Sequence, residues 1–271
     1  MYLVRRDAAF GDILMAGMAV ATLNDHGVKT ALITDNQAAA SLLYVPKMTA
    51  NPDNWQEVWF EYESFRHDTS TSYVQGWLNK FSQVWLGGSP IKLTRRCVPV
   101  YFTPAPATPV YDVAIGSLTG NWTLYKSWPH FDRLKHLLDK NGLTWIDMDK
   151  SGVFNNECLN IVRKCGVYLG LDTGRSHYVS SEAAGKTLIL HSGFSGFRQW
   201  CVYDYEVIDK KVECSPCYLN VMMPPCPNGF KCFNDIRPEF VVERIIEKLS
   251  RSPFYRPSQS ARSKLYNLPV V

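Results

Sequence analysis

Four segments carry side chains whose types and spacing could do chemistry. Phe10-Gly11-Asp12 stands between a short apolar run and a helical pattern. A carboxylate in the loop after a first strand lies where open α/β sheets place ligands, and could take a proton from an incoming hydroxyl. Taken alone, Asp12 reads first as a helix cap, a task Asp performs well. Leu171-Asp172-Thr173-Gly174-Arg175-Ser176-His177 runs from a buried strand pattern into a helix. Free N–H groups, a positive dipole end, two hydroxyls and a Gly that admits close backbone approach suit a diphosphate. The same residues would equally make a capped turn with a core His at its edge. Lys126, in Tyr125-Lys126-Ser127-Trp128-Pro129, could neutralise phosphate as a point cation or be a solvated loop lysine.

Cys214, Cys217, Cys226 and Cys232 put four thiols within nineteen residues. The Cys214-x2-Cys217 knuckle suits tetrahedral zinc or iron, while the second pair is looser than the usual spacing. An ion there would be structural, because four thiolates leave no open position. Free thiols or a disulfide are the alternatives. Pro224, Pro225 and Pro227 would stiffen the loop, and Cys97, Cys158, Cys165 and Cys201 read as scattered core residues.

The elements that must position these groups alternate. Tyr2–Arg5 is a strand, Ala8–Asp12 a loop, Ile13–His26 a helix closed by Gly27, and Lys29–Thr34 a second strand: a βαβ unit. Residues 51–88 read as loops and helices, with helical spacing over Ser72–Leu86. Three prolines between Thr103 and Pro109 make an extended linker. Beyond it come strands at Val110–Ile115, Leu143–Met148, Gly166–Leu171 and Thr187–His191. Helices at His130–Lys140, Glu157–Lys164, Ser176–Ala184 and Pro238–Ser250 fall among and after them. This predicts an α/β protein with two doubly wound domains, 1–108 and 109–250, and a polar tail, 251–271.

The chain has 271 residues, 46% of them hydrophobic, which is enough for one large core or two modest ones. The net charge of +4 permits an anionic partner and demands none. No apolar run is long enough to span a bilayer and the N-terminus lacks a signal-like apolar core, so the chain reads as cytoplasmic.

In order and spacing, the motifs resemble glycosyltransferase family 9, the lipopolysaccharide heptosyltransferases. Gly11-Asp12 opens the first helix, and Lys126-Ser127-Trp128-Pro129 follows the first strand of the second domain. Asp172-Thr173-Gly174-Arg175-Ser176-His177 follows a later strand, and Ala184-Gly185-Lys186-Thr187 steps into the next one. The likeness continues from Cys214 through Cys232 into Ile236-Arg237-Pro238-Glu239. The resemblance implies a GT-B-like fold: two Rossmann-like domains facing a central cleft, the first of them shortened. It implies a nucleotide-diphosphate-sugar donor on Gly11, Lys126, Asp172, Thr173, Gly174, Ser176 and His177, with Asp12 as the base of an inverting, metal-independent transfer. Some relatives hold iron in a similar cysteine loop.

The implied acceptor is a surface saccharide such as lipopolysaccharide core. Two alternatives stay open. Abundant Trp and a basic tail (Arg251, Arg256, Arg262, Lys264) would suit modified bases of viral DNA; retention on DNA would distinguish that case. A non-catalytic nucleotide-sugar or protein-binding module with a four-cysteine metal loop would have no use for Asp12.

Overall fold

The structure, a computed structural model, describes residues 1–61, 71–93, 109–119, 124–151, 157–194, 205–217 and 226–251. The expected linker up to residue 108, Cys97, Cys201, Pro224, Pro225 and the tail beyond Arg251 lie outside the described residues. Those described divide between two compact units, one reaching Leu93 and the other beginning at Pro109.

In the first unit, β1 (Tyr2–Arg5), α1 (Phe10–Asp25) and β2 (Thr30–Ile33) form the expected βαβ unit, with β1 and β2 parallel. From Ile13 to Leu23 α1 is buried on every side, as an almost wholly apolar helix must be. Gly27 turns the chain out of it at φ 77°, a conformation that favours glycine. The helix begins at Phe10 rather than Ile13, so Gly11 and Asp12 lie in its first turn and not in a loop. Its N-cap residue is Ala9, and Asp12 sits where the helix dipole favours an acid.

After α2 (Gln37–Ser41) and the two-residue β3 (Lys47–Met48), residues 51–88 hold a strand that periodicity does not reveal. This is β4 (Gln56–Trp59), followed by α3 (Tyr73–Trp85). The sheet order is β3-β2-β1-β4, all parallel. Strand order therefore reverses between β1 and β4. Such a reversal opens a crevice at the carboxyl ends of the two strands.

The second unit carries a five-stranded parallel sheet in the order β6-β5-β7-β8-β9. Its strands are β5 (Tyr111–Gly116), β6 (Trp145–Asp147), β7 (Cys165–Leu171), β8 (Thr187–His191) and β9 (Glu206–Asp209). The last is an edge strand absent from the sequence reading. Helices α4 (Phe131–Lys140), α5 (Glu157–Arg163), α6 (Gly174–Ala183), the short α7 (Lys231–Asn234) and α8 (Pro238–Arg251) complete it. One core gathers Val113, Val167, Leu169 and Leu188 from the strands with Leu134, Leu138, Val241 and Ile245 from α4 and α8. Order reverses between β5 and β7, again opening a crevice at their carboxyl ends. Just below that point Tyr168 lies across two glycines. A Cβ on Gly116 would stand 2.6 Å from its hydroxyl, and one on Gly170 would stand 2.5 Å from it.

Among the described residues no helix is long and apolar enough to cross a membrane.

Candidate functional site

In the first unit the loop leaving β1 is tied to the end of β4. Arg6 donates through Nη1 to the carbonyl of Phe60 and through Nη2 to Asp12 Oδ1, at 3.1 Å in each case. Asp12 thus faces the β1–β4 reversal with a guanidinium against one carboxylate oxygen. Gly11 precedes it in the same helical turn. Arg6 was not singled out from sequence. An Arg at the end of a first strand has no pattern that names its partner.

The second unit builds its half around a buried carboxylate. Asp172, at the end of β7, is 4% exposed. Lys126 Nζ lies 2.8 Å from its Oδ2, as an ion pair rather than an aligned hydrogen bond. His177 Nε2, one turn into α6, is 3.3 Å from Oδ1, and His191 Nε2, at the end of β8, is 3.7 Å from Oδ2. Burial works to raise the Asp172 pKa, but the Lys126 charge, the His177 hydrogen bond and the His191 and His177 charges hold it well below the usual carboxylate range. The structure therefore brings Lys126, Asp172 and His177 together. It adds His191, which sequence reading passed over as a strand terminus.

At the start of α6, Thr173 Oγ1 accepts from the Ser176 amide at 3.4 Å, and the helix begins at Gly174, two residues earlier than its pattern indicates. Ser176 is 1% exposed, with its hydroxyl 3.0 Å from that of Tyr168. The serine that looked like a phosphate donor is turned into the core. Arg175 is paired with Asp149 Oδ1. The other Asp149 oxygen accepts from the Ser117 amide (2.7 Å), the Ser117 hydroxyl (2.5 Å) and the Leu118 amide (2.8 Å). Asp149, also unmarked by sequence, fixes the loop after β5 to the helix after β7, one on each side of the reversal.

Two motif residues prove structural. Trp128 is buried and donates through Nε1 to the carbonyl of Ile236 at 3.1 Å, joining two motifs far apart in sequence. Lys186 Nζ donates to the carbonyls of Cys165 (2.7 Å) and Arg163 (3.4 Å), closing the turn between α5 and β7.

Beside Tyr125, the four thiols Cys214, Cys217, Cys226 and Cys232 line one cavity of about 110 Å³ with the rings of Tyr125, Phe194 and Phe230. Tyr125 stacks on Phe194 with centroids 5.4 Å apart. Asn228 Nδ2 donates to Cys214 Sγ at 3.2 Å and the Phe230 amide to Cys226 Sγ at 3.4 Å. Burial pushes the Cys232 thiol up against the Gly193 backbone hydrogen bond, with Cys217, Cys226 and Cys214 adding to the rise. As they stand, no three His, Cys, Asp or Glu side chains among the described residues are gathered closely enough to hold a metal ion.

The architecture is that of the heptosyltransferase-like glycosyltransferases of family 9. The likeness is one of structure: no family model and no curated protein matches the sequence. The iron-containing dodecameric glycosyltransferase TibC from enterotoxigenic E. coli H10407 superposes with a TM-score of 0.66 at 13% identity, over 92% of this chain and 76% of that one. E. coli heptosyltransferase WaaC, solved with ADP, gives 0.60 at 12% identity, over 91% of this chain and 99% of its own. The family 9 glycosyl transferase of Veillonella parvula DSM 2008 gives 0.58 at 11% identity, over 93% and 97%.

Proposed function

We propose that the protein is an inverting glycosyltransferase of the heptosyltransferase type. It moves a sugar from a nucleotide-diphosphate donor to a hydroxyl of a saccharide acceptor such as lipopolysaccharide core. The observation that carries this reading is the start of α6, where the chain turns through Thr173 and Gly174 into the helix at the strand reversal, beside Asp172 and Lys126. A helix N-terminus at that point of a parallel sheet is a ready anion site. TibC, of similar fold, has been solved with ADP-D-beta-D-heptose.

In this reading the domain 109–250 holds the donor and 1–108 the acceptor. The amides at Thr173 and Gly174 and the Lys126 ammonium take the diphosphate charge, with Asp172 and His177 fixing the lysine and the helix start. Ser176 supports the turn from behind, since its hydroxyl is committed to Tyr168 and its amide to Thr173 Oγ1. Asp12 accepts the proton of the acceptor hydroxyl. The freed oxygen attacks the anomeric carbon from the face opposite the leaving nucleoside diphosphate, inverting that centre. Helix dipole and lysine carry the leaving-group charge without a divalent ion. No particular observation favours a DNA acceptor or a non-catalytic role.

The four thiols line one cavity without being gathered into a closed site, and on drawing together they would supply the ligand set for a structural zinc or iron. Their all-sulfur chemistry and the N–H groups aimed at two of them fit a soft ion. Metal analysis of the purified protein, with Cys217→Ser and Cys226→Ser alongside, tests this. About one ion per chain, lost in both variants, is expected; a metal-free wild type removes the ion from the proposal.

The central test is thermal stabilisation by nucleoside diphosphates, followed by turnover. Asp12→Ala keeps the stabilisation and loses transfer by about 10²–10⁴-fold. Unchanged turnover would take Asp12 out of the mechanism, and no stabilisation by any nucleotide would end the donor assignment.

A further inference from the structure

A hollow of about 210 Å³ lies in the first unit between the edge strand β4 and helix α3. Its floor is made by Trp77 and Phe81, which are buried and stacked with centroids 5.1 Å apart. Two indoles frame it and stay open to solvent, Trp59 at 49% and Trp85 at 39% exposure. The exposed Glu61 and Lys80 also line it, one charge of each sign.

Exposed indoles are a cost that a fold does not need for its own core, and these two are held in place. The Arg5 guanidinium sits 5.4 Å over the Trp59 ring, and the Trp85 ring meets Tyr2 edge-on at 5.8 Å. An aromatic face carries negative quadrupole density, which attracts the weakly positive C–H face of a sugar ring. A carboxylate and an ammonium beside it can bond the hydroxyls of that ring, accepting at one place and donating at another. The size selects as well. The hollow is below the roughly 300–1,000 Å³ of drug-sized sites, so it suits a single ring.

Its placement gives the hollow a task. β1 and β4 run parallel with Arg5 opposite Trp59, so Trp59 and Glu61 lie at the end of the sheet where Asp12 stands, while Trp85, against Tyr2, extends the hollow toward the other end. Arg6 links the Phe60 carbonyl, between Trp59 and Glu61, to Asp12 itself.

We propose that the hollow framed by Trp59, Trp85, Glu61 and Lys80 is a saccharide subsite that holds one pyranose ring of the acceptor by stacking. The inference rests on the glycosyltransferase reading for the role of that ring, though not for its binding. Titrating the full chain with the methyl glycosides of glucose, galactose and a heptose, read by tryptophan fluorescence, tests it. A saturable change is expected with at least one of them. Trp59→Ala and Trp85→Ala should each weaken it by about tenfold or more, while Trp59→Phe keeps most of it because a ring face remains. Cooperative thermal unfolding of each variant shows that it is folded.

Failure of all three glycosides, or equal binding by the folded alanine variants, overturns the subsite. So does a wild-type dimer that Trp59→Ala turns into a monomer, since the hollow would then be an interface between copies. If glycosides bind at the hollow while no nucleoside diphosphate stabilises the wild type, the glycosyltransferase reading falls and the subsite stands.

Discussion

Asp172 is a carboxylate taken out of water and surrounded by Lys126, His177 and His191. Such a group is tolerable only while its partners remain, because desolvation of a charge exceeds what imperfect pairing returns. Asp172→Asn keeps the shape and removes the charge, leaving the mostly buried Lys126 ammonium without its counter-ion. A loss of about 3–5 kcal/mol of stability is expected, measured as a lower denaturant midpoint at unchanged slope. A change too small to measure would mean that Lys126 simply swings to solvent. Histidine at 177 is oriented by the same carboxylate, and its Nδ1 is buried with no hydrogen-bond partner among the described residues. Much at this scale was written in the sequence: Asp172, Thr173, Gly174 and His177 form one motif at the end of an apolar run. Arg6, Asp149 and His191 were not legible. A charged residue shows its type in sequence but not which carboxylate it will meet, and each of these partners comes from a different element.

At the scale of elements, the strand reversal in the second unit depends on Tyr168 fitting across Gly116 and Gly170. Gly116→Ala would put a Cβ 2.6 Å from the Tyr168 hydroxyl, while the nearest ring carbons stay at 3.3 Å. The severe clash is therefore with the hydroxyl, the ring carbons being only a few tenths of an ångström too close. Gly116→Ala should cost about 1–3 kcal/mol with tyrosine present and clearly less in a Tyr168→Phe background. A double-mutant cycle by chemical denaturation gives that coupling, and additive losses would show that the strand, not the hydroxyl, resists the methyl group. The central strands β7 and β8 were plain in the sequence because both of their faces are buried and their residues read as unbroken apolar runs. β4 and β9 were missed for the converse reason. Gln56, Glu57, Glu206 and Asp209 belong to edge strands with partly solvated faces, and such strands lack an apolar run. The start of α1 was misjudged because Phe10-Gly11-Asp12 contains a glycine, a poor helix former, which tertiary packing overrides.

For the molecule as a whole, two parallel sheets with strand reversals survive at 11–13% identity to the family 9 structures. The fold persists where few residues do, and the histidine knot makes its stability depend on pH. Burial holds His191 below its ordinary value, Asp172 pulls the other way, and Lys126 adds to the lowering. The unfolded chain then takes up a proton more readily than the folded one. His191 therefore leaves stability whole above the unfolded value of about 6.5 and erodes it as pH falls further, by at most ~1.4 kcal/mol per pH unit. The Asp172 share is present above the unfolded Asp value of about 3.9 and is lost only in stronger acid, as pH falls through its depressed folded value. Melting temperature should decline on mild acidification, and His191→Gln should flatten that decline. An identical decline in the variant would assign it to another group.

The basic side chains of the two motifs at this strand reversal are both paired: Lys126 with Asp172 and Arg175 with Asp149. The local charge is close to balanced before any ligand arrives. In the proposed reading, recognition of a diphosphate there is shared between the already paired Lys126 and backbone dipoles at fixed angles, acting over hydrogen-bond distance. Mobile counter-ions screen separated charges beyond about 8 Å at physiological ionic strength, and they weaken such short contacts far less. The proposed nucleoside diphosphate should therefore bind with an affinity that falls little with added salt, measured by titration at low and high ionic strength.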